Sequence, residues 1–203
     1  MENKIGNYTV DFPREHLYSG LLCDALDSMG YRNQFLSGDM DPILPDTVVV
    51  GRAFTCVATQ VYSMPENPLT AQCRVIDQMQ EGDVLVLTMR GEYNCAILDG
   101  MARDLRVVRE MKFPLIYRGH LPSTSKGSAE VNECLIPIQI DGVTINPGDI
   151  VLGDIDGTVV IPQDIFDAAF ERALEIEERE NNIRDSIKAR ASLESTYMKI
   201  GAI

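Results

Sequence analysis

Residues 98–120 constrain the fold of this chain more than any other stretch. They read as a strand end, a turn, a helix, a turn and a second strand. Leu98 closes a short apolar run that starts at Cys95, and Asp99-Gly100 turns the chain. From Arg103 onward, Leu105, Val108 and Met111 recur at helical spacing, with Val107 beside them. Pro114 then ends the helix, and residues 113–117 resume an extended apolar run. Strand, helix and strand in that order predict an α/β fold. The turn into the helix carries Arg103 and Asp104 side by side. In open α/β sheets, ligands bind at the carboxyl ends of strands, and helix starts favour anions. An Arg there can grip a carboxylate through two parallel hydrogen bonds, and an Asp can hold a hard cation. The pair therefore predicts a metal-assisted site for a small carboxylate substrate. Taken in isolation, such a pair is more often a helix cap beside a solvated cation.

Composition narrows the chemistry. The net charge of −13 argues against a nucleic-acid partner, which needs clustered Lys and Arg, and against an anionic membrane surface. Arg103, Arg106, Arg109 and Arg118 still crowd one region and allow a local basic pocket. No apolar run approaches the roughly 18–20 residues of a membrane span. Residues 1–7 hold no apolar signal core, so the expected location is the cytoplasm. The five cysteines are widely spaced and none forms a C-x-x-C pair, which predicts reduced core residues and no disulfide framework. With only His16 and His120, a multi-histidine site within one chain is excluded. A metal would be held by oxygen, which points to magnesium, manganese or calcium.

The rest of the chain alternates apolar runs with helical periods. A helix is expected over 13–30, with Asp24 and Asp27 solvated, and one or two strands joined at a bend over 47–59. A helix over 69–80 should turn Leu69, Cys73, Ile76 and Met79 to one side, ahead of a buried strand over 84–87. Residues 39–46 read as a loop, and 121–129 as a mobile one. Strands over 131–140 and 143–145 should flank an Asp141-Gly142 hairpin turn. Strands over 150–152 and 158–161 flank a tight Gly-Asp turn rather than a calcium loop, since the closing Glu of an EF-hand is missing. Pro162 opens a last helix reaching about residue 190, and residues 196–200 read as a terminal arm onto a neighbouring subunit. Without repeats or a linker, 1–203 is expected to be one domain.

Several segments taken together resemble one family. They are Cys23-Asp24-Ala25-Leu26-Asp27, Gly51-Arg52-Ala53-Phe54-Thr55, Gly82-Asp83-Val84-Leu85-Val86 and Asp99-Gly100-Met101-Ala102-Arg103-Asp104, followed by Asn146-Pro147-Gly148-Asp149 and residues 153–162. In that order they resemble the RraA-like family, which includes 4-hydroxy-4-methyl-2-oxoglutarate aldolase and the regulator of ribonuclease E activity. The resemblance implies a ββα swivelling domain (phosphohistidine-domain-like) with flanking N- and C-terminal helices. It implies a homotrimer or homohexamer with sites between subunits. It also implies a divalent-metal aldolase that releases pyruvate from a 4-hydroxy-2-oxo acid, with oxaloacetate decarboxylation as a side activity. Arg103 would match the Arg at the substrate's pyruvyl end, and Asp104 the Asp that holds Mg²⁺ or Mn²⁺. The alternatives are a non-catalytic regulator that binds an RNA-processing enzyme, or a related lyase acting on another substrate.

The chain departs from the family pattern at one place. The family has a Gly-Glu/Asp-Leu-Leu helix start whose acid precedes the Arg by about 21 positions. Here only residues 88–95 separate the two apolar runs, and Glu92 lies too close to Arg103 to be that acid. A parallel crossover needs about a dozen residues or more. The two runs must form a hairpin, or a helical segment is missing between Leu87 and Leu98; the second is the expectation.

Overall fold

The computed structural model describes residues 4–91, 95–96, 105–188 and 192. Its elements, in chain order, are β1 (Lys4–Ile5), β2 (Tyr8–Thr9), α1 (Asp11–His16), α2 (Ser19–Ser28), β3 (Asp41–Pro42), β4 (Val49–Gln60), α3 (Thr70–Gln78) and β5 (Asp83–Arg90). They continue with α4 (Leu105–Glu110), β6 (Ile116–Tyr117), β7 (Ala129–Cys134), β8 (Ile138–Ile140), β9 (Val143–Ile145), β10 (Ile150–Gly153), β11 (Thr158–Ile161) and α5 (Phe166–Lys188). The fold is mixed α/β. No described helix is long and apolar enough to cross a membrane.

Strand β4 organises the sheet. Its first half pairs antiparallel with β10, its second half pairs antiparallel with β7, and its other edge runs parallel to β5. The parallel pair requires a crossover, which α3 supplies. Side chains alternate across β4 and divide the core in two. On one face, Val50 joins Ile150, Leu152, Val159 and Ile161 beneath α2 and α5. Farther along the same face, Phe54, Cys56 and Ala58 meet Val75 of α3. The opposite face puts Ala53 and Val57 against Ile138, Val143 and Ile145 of the β8–β9 hairpin.

The predicted bend at Gly51-Arg52 is absent; β4 runs straight through it. Gly51 is there for proximity, since a Cβ would lie 2.5 Å from the Gly82 carbonyl oxygen. The predicted helix over 13–30 is two helices, separated by extended Leu17 and Tyr18. On α3 the buried face is Gln72 and Val75, whereas Cys73 and Ile76 are exposed, so the expected apolar side is misplaced. Strand β5 extends beyond the expected 84–87. Part of the expected loop over 39–46 is β3, which pairs with β6, and β6 keeps only Ile116 and Tyr117 of the expected 113–117. The expected strand over 131–140 divides into β7 and β8 where Leu135 takes φ +54°. In the loop before β7, Ser125 is fully buried and its carbonyl receives the N–H groups of Ser128 and Ala129, so part of that loop is packed. The Asp141-Gly142 hairpin is borne out; both residues take positive φ, as a two-residue turn demands.

Helix α4 is shorter than the period suggests. It ends at Glu110, where Lys112 takes φ +52° and its N–H returns to the Arg109 carbonyl. Val108 is buried, but Met111 is 69% exposed and does not share its face.

Candidate functional site

Three of the acids in the motif segments are already used by the fold. Asp83 accepts from Arg52 Nε at 3.0 Å, while the same guanidinium donates to the carbonyls of Lys4 and Glu81. Gly51-Arg52 and Gly82-Asp83 therefore meet as one clamp between β4 and β5, strands parallel at that register. Asp149 is buried and accepts from the backbone N–H groups of Asn146 and Gln163. Asp154 is buried and accepts from the Ser19 N–H and hydroxyl, each at 2.7 Å, which caps the start of α2 from a distant turn. It also accepts from the N–H groups of Asp156 and Gly157. The tight-turn reading of residues 153–157 is thereby borne out. A carboxylate holding four donors closes the turn and anchors α2.

Asp24 and Asp27 are exposed, as expected. Partial burial, then the nearby Glu180 and Asp27 charges, push the Asp24 carboxyl above its ordinary value. Glu180 itself accepts from the Tyr18 hydroxyl at 2.7 Å.

Two of the four arginines of the expected basic pocket are paired. Arg106 faces Glu110 one helical turn on. Arg118 donates from Nε to Asp39 at 3.1 Å and from Nη2 to the Ser37 hydroxyl and to Asp141. This ties the segment after β6 to the 37–39 loop and the β8–β9 turn. The Ser37 N–H is the main cause holding the Asp141 carboxyl below its ordinary value; Ser37 and Arg118 side-chain contacts add to it. Sequence spacing gave no sign of this network, because its members lie as far as 104 positions apart. The two histidines each rest on an aromatic ring, His16 on Phe12 and His120 on Tyr117. Among the described residues no group of three or more His, Cys, Asp or Glu is placed to hold a metal ion.

Arg103 and Asp104, the predicted substrate and metal residues, lie outside the described residues, as do residues 92–94 and 97–98 of the segment where a helix is expected to be missing, and the 196–200 arm. What is described is their setting: α4 begins at the next residue, Leu105, and its Val108 is anchored in the interior. The cysteines depart from expectation. Cys73 is exposed rather than buried, and Cys56 and Cys134, remote in sequence, are brought together across β4 and β7.

Turns of the motif segments serve as clamps in this mixed α/β chain. A model of the RraA-like (Aldolase/RraA) family matches residues 20–160. The chain is 32% identical over 198 residues to a protein of Halalkalibacterium halodurans provisionally named a 4-hydroxy-4-methyl-2-oxoglutarate aldolase, covering 85% of this chain and 88% of that one. An uncharacterised protein from Pseudomonas syringae pv. tomato superposes with a TM-score of 0.78 at 29% identity, covering 94% of this chain and 92% of that one. Streptomyces coelicolor RraAS2, described as an unusual member of the RNase ES inhibitor RraA family, gives 0.73 at 26% identity over 86% and 96%. The chain belongs to the RraA-like family.

Proposed function

We propose that this protein is a divalent-metal-dependent aldolase or lyase that cleaves a 4-hydroxy-2-oxo acid and releases pyruvate. The observation that carries the reading is the 32% identity, over most of both chains, to a provisionally named 4-hydroxy-4-methyl-2-oxoglutarate aldolase. Three of the motif acids serve the fold. Asp83, Asp149 and Asp154 are engaged by Arg52, by backbone amides and by Ser19. Arg103-Asp104 is the pair to which the family resemblance assigns substrate and metal.

In this reading Arg103 binds the substrate carboxylate through its planar fork and places a fixed positive charge beside the keto oxygen. Asp104, a hard oxygen donor, holds Mg²⁺ or Mn²⁺, which commonly take only one or two protein carboxylates. When bound, the cation supplies Lewis-acid stabilisation of the charge that develops on the keto acid. A protein that stabilises that charge also decarboxylates oxaloacetate slowly. The ββα swivelling arrangement, a homo-oligomer with sites between subunits and a cytoplasmic location belong to the same proposal. So does a helical segment missing between Leu87 and Leu98.

A second reading, favoured by the likeness to Streptomyces coelicolor RraAS2, is a non-catalytic regulator that binds an RNA-processing enzyme. A coupled assay separates the two. Purified protein with Mg²⁺ and a panel of 4-hydroxy-2-oxo acids is followed through lactate dehydrogenase. Metal-dependent pyruvate release supports the aldolase or a related lyase. No pyruvate from any substrate, with robust capture of an RNA-processing enzyme, supports the regulator.

A further inference from the structure

Cys56 and Cys134 face each other directly across the antiparallel β4–β7 pair. The Leu135 N–H donates to the Thr55 carbonyl at 2.8 Å, one residue beyond the pair on each strand. In an antiparallel ladder that pattern makes Cys56 and Cys134 a non-hydrogen-bonded pair. There the Cα atoms lie about 4.5 Å apart and the side chains are closest, within the range a disulfide spans. The two sulfurs are 2.7 Å apart, with the Cys56 thiol donating to Cys134. Cys56 is fully buried and Cys134 half-buried, so Cys134 is the more accessible residue of the pair.

We infer that Cys56 and Cys134 form a reversible redox pair that closes to a cross-strand disulfide when the protein meets a hydroperoxide. The Cys134 thiolate attacks one oxygen of hydrogen peroxide. The O–O bond breaks, giving a Cys134 sulfenic acid and, with a proton, one water. The Cys56 sulfur then attacks the Cys134 sulfur, the S–O bond breaks and a second water leaves. Two thiols lose two electrons and two protons, and one peroxide becomes two waters. Burial, with the adjoining Cys134, pushes the Cys56 thiol up, which suits it to the second step rather than the first. Cys95 belongs to the same apolar cluster but lies on none of the described strands, while Cys23 and Cys73 lie on α2 and α3. The bond would join residues 78 positions apart and fasten β7 to the centre of the sheet.

The proposal does not depend on the aldolase reading. The reduced protein is treated with a few equivalents of hydrogen peroxide, quenched with an alkylating reagent and read by intact mass, thiol titration in denaturant and peptide mapping. The expected result is a loss of about 2 Da, two fewer titratable thiols and a linked peptide pair containing Cys56 and Cys134. The melting temperature should rise by about 5 °C or more and return on reduction. Cys134→Ser should lose the 2 Da change and stop at an unoxidised or reagent-trapped chain. Cys56→Ser should leave a sulfenic acid on Cys134 that a dimedone probe labels. Retention of all five thiols under peroxide, or a linked pair that includes any other cysteine, would overturn the proposal.

Discussion

The face beneath α2 and α5 and the segment from α4 to β6 are held in place differently. Under the long helices, Phe166 and Phe170 are stacked and at most 1% exposed, and Phe170 meets Tyr8 edge to face. Leu22, Leu152 and Ile161 are wholly buried around them. Helix α4 places only Val108 in the interior, and Met111 and Phe113 beside it are more than half exposed. The first region is fixed by burial from several directions. The second depends on one anchor, a positive-φ stop and the Arg118 network. A rigid layer that supports a lightly held segment is the usual way to carry binding residues, and Arg103-Asp104 immediately precede α4.

The widest gap should come from deletions in the two regions. Phe170→Ala is expected to cost about 3–5 kcal/mol in denaturant unfolding. A loss below about 1 kcal/mol would mean the α5 face is not the main stabilising layer. Asp154→Ala comes next, at about 2–3 kcal/mol, because Ser19 and the 156–157 amides lose their shared acceptor in a buried place. Met111→Ala should stay within about 0.5 kcal/mol. A cost near that of Phe170→Ala would show the α4 segment packed as firmly as the core and would break the contrast.

The smallest effect has the opposite sign. Asp24 has a raised folded-state pKa, so the folded chain binds its proton more tightly than the unfolded one. Its ionised form therefore weakens the fold at neutral pH, and the penalty fades as pH falls through the raised value towards 3.8. Asp24→Asn should stabilise by a few tenths of a kcal/mol at pH 7. The difference in melting temperature from the parent should vanish near pH 3.5. A difference that stays constant with pH would remove the electrostatic explanation.

What the sequence made legible follows from how locally each feature is encoded. The Asp141-Gly142 hairpin is carried by two adjacent residues and reads directly. So does the order of strands around Gly153 and Gly157. The single strand through Gly51 was not legible, because the reason for that glycine is a carbonyl some thirty positions away, at Gly82. Arg52 and Asp83 are both in motif segments, yet nothing local says that they bind each other. On α3 the periodicity pointed at Cys73, while the sheet selected Gln72 and Val75. The capping of α2 by Asp154 and the meeting of Cys56 with Cys134 are products of topology and carry no spacing signal. The Arg103-Asp104 pair was the reverse. It reads clearly as a motif, and its meaning comes from the ordered set of turns before and after it rather than from the pair alone.

The central claim is that Asp104 holds the catalytic cation, and one variant tests it. Asp104→Ala is compared with the parent for Mg²⁺-dependent pyruvate release from the best 4-hydroxy-2-oxo acid, with melting temperature measured alongside. Turnover should fall by about 100-fold or more while the melting temperature in metal-free buffer stays within about 2 °C. Undiminished metal-dependent turnover in the folded variant would contradict the account and place the metal elsewhere.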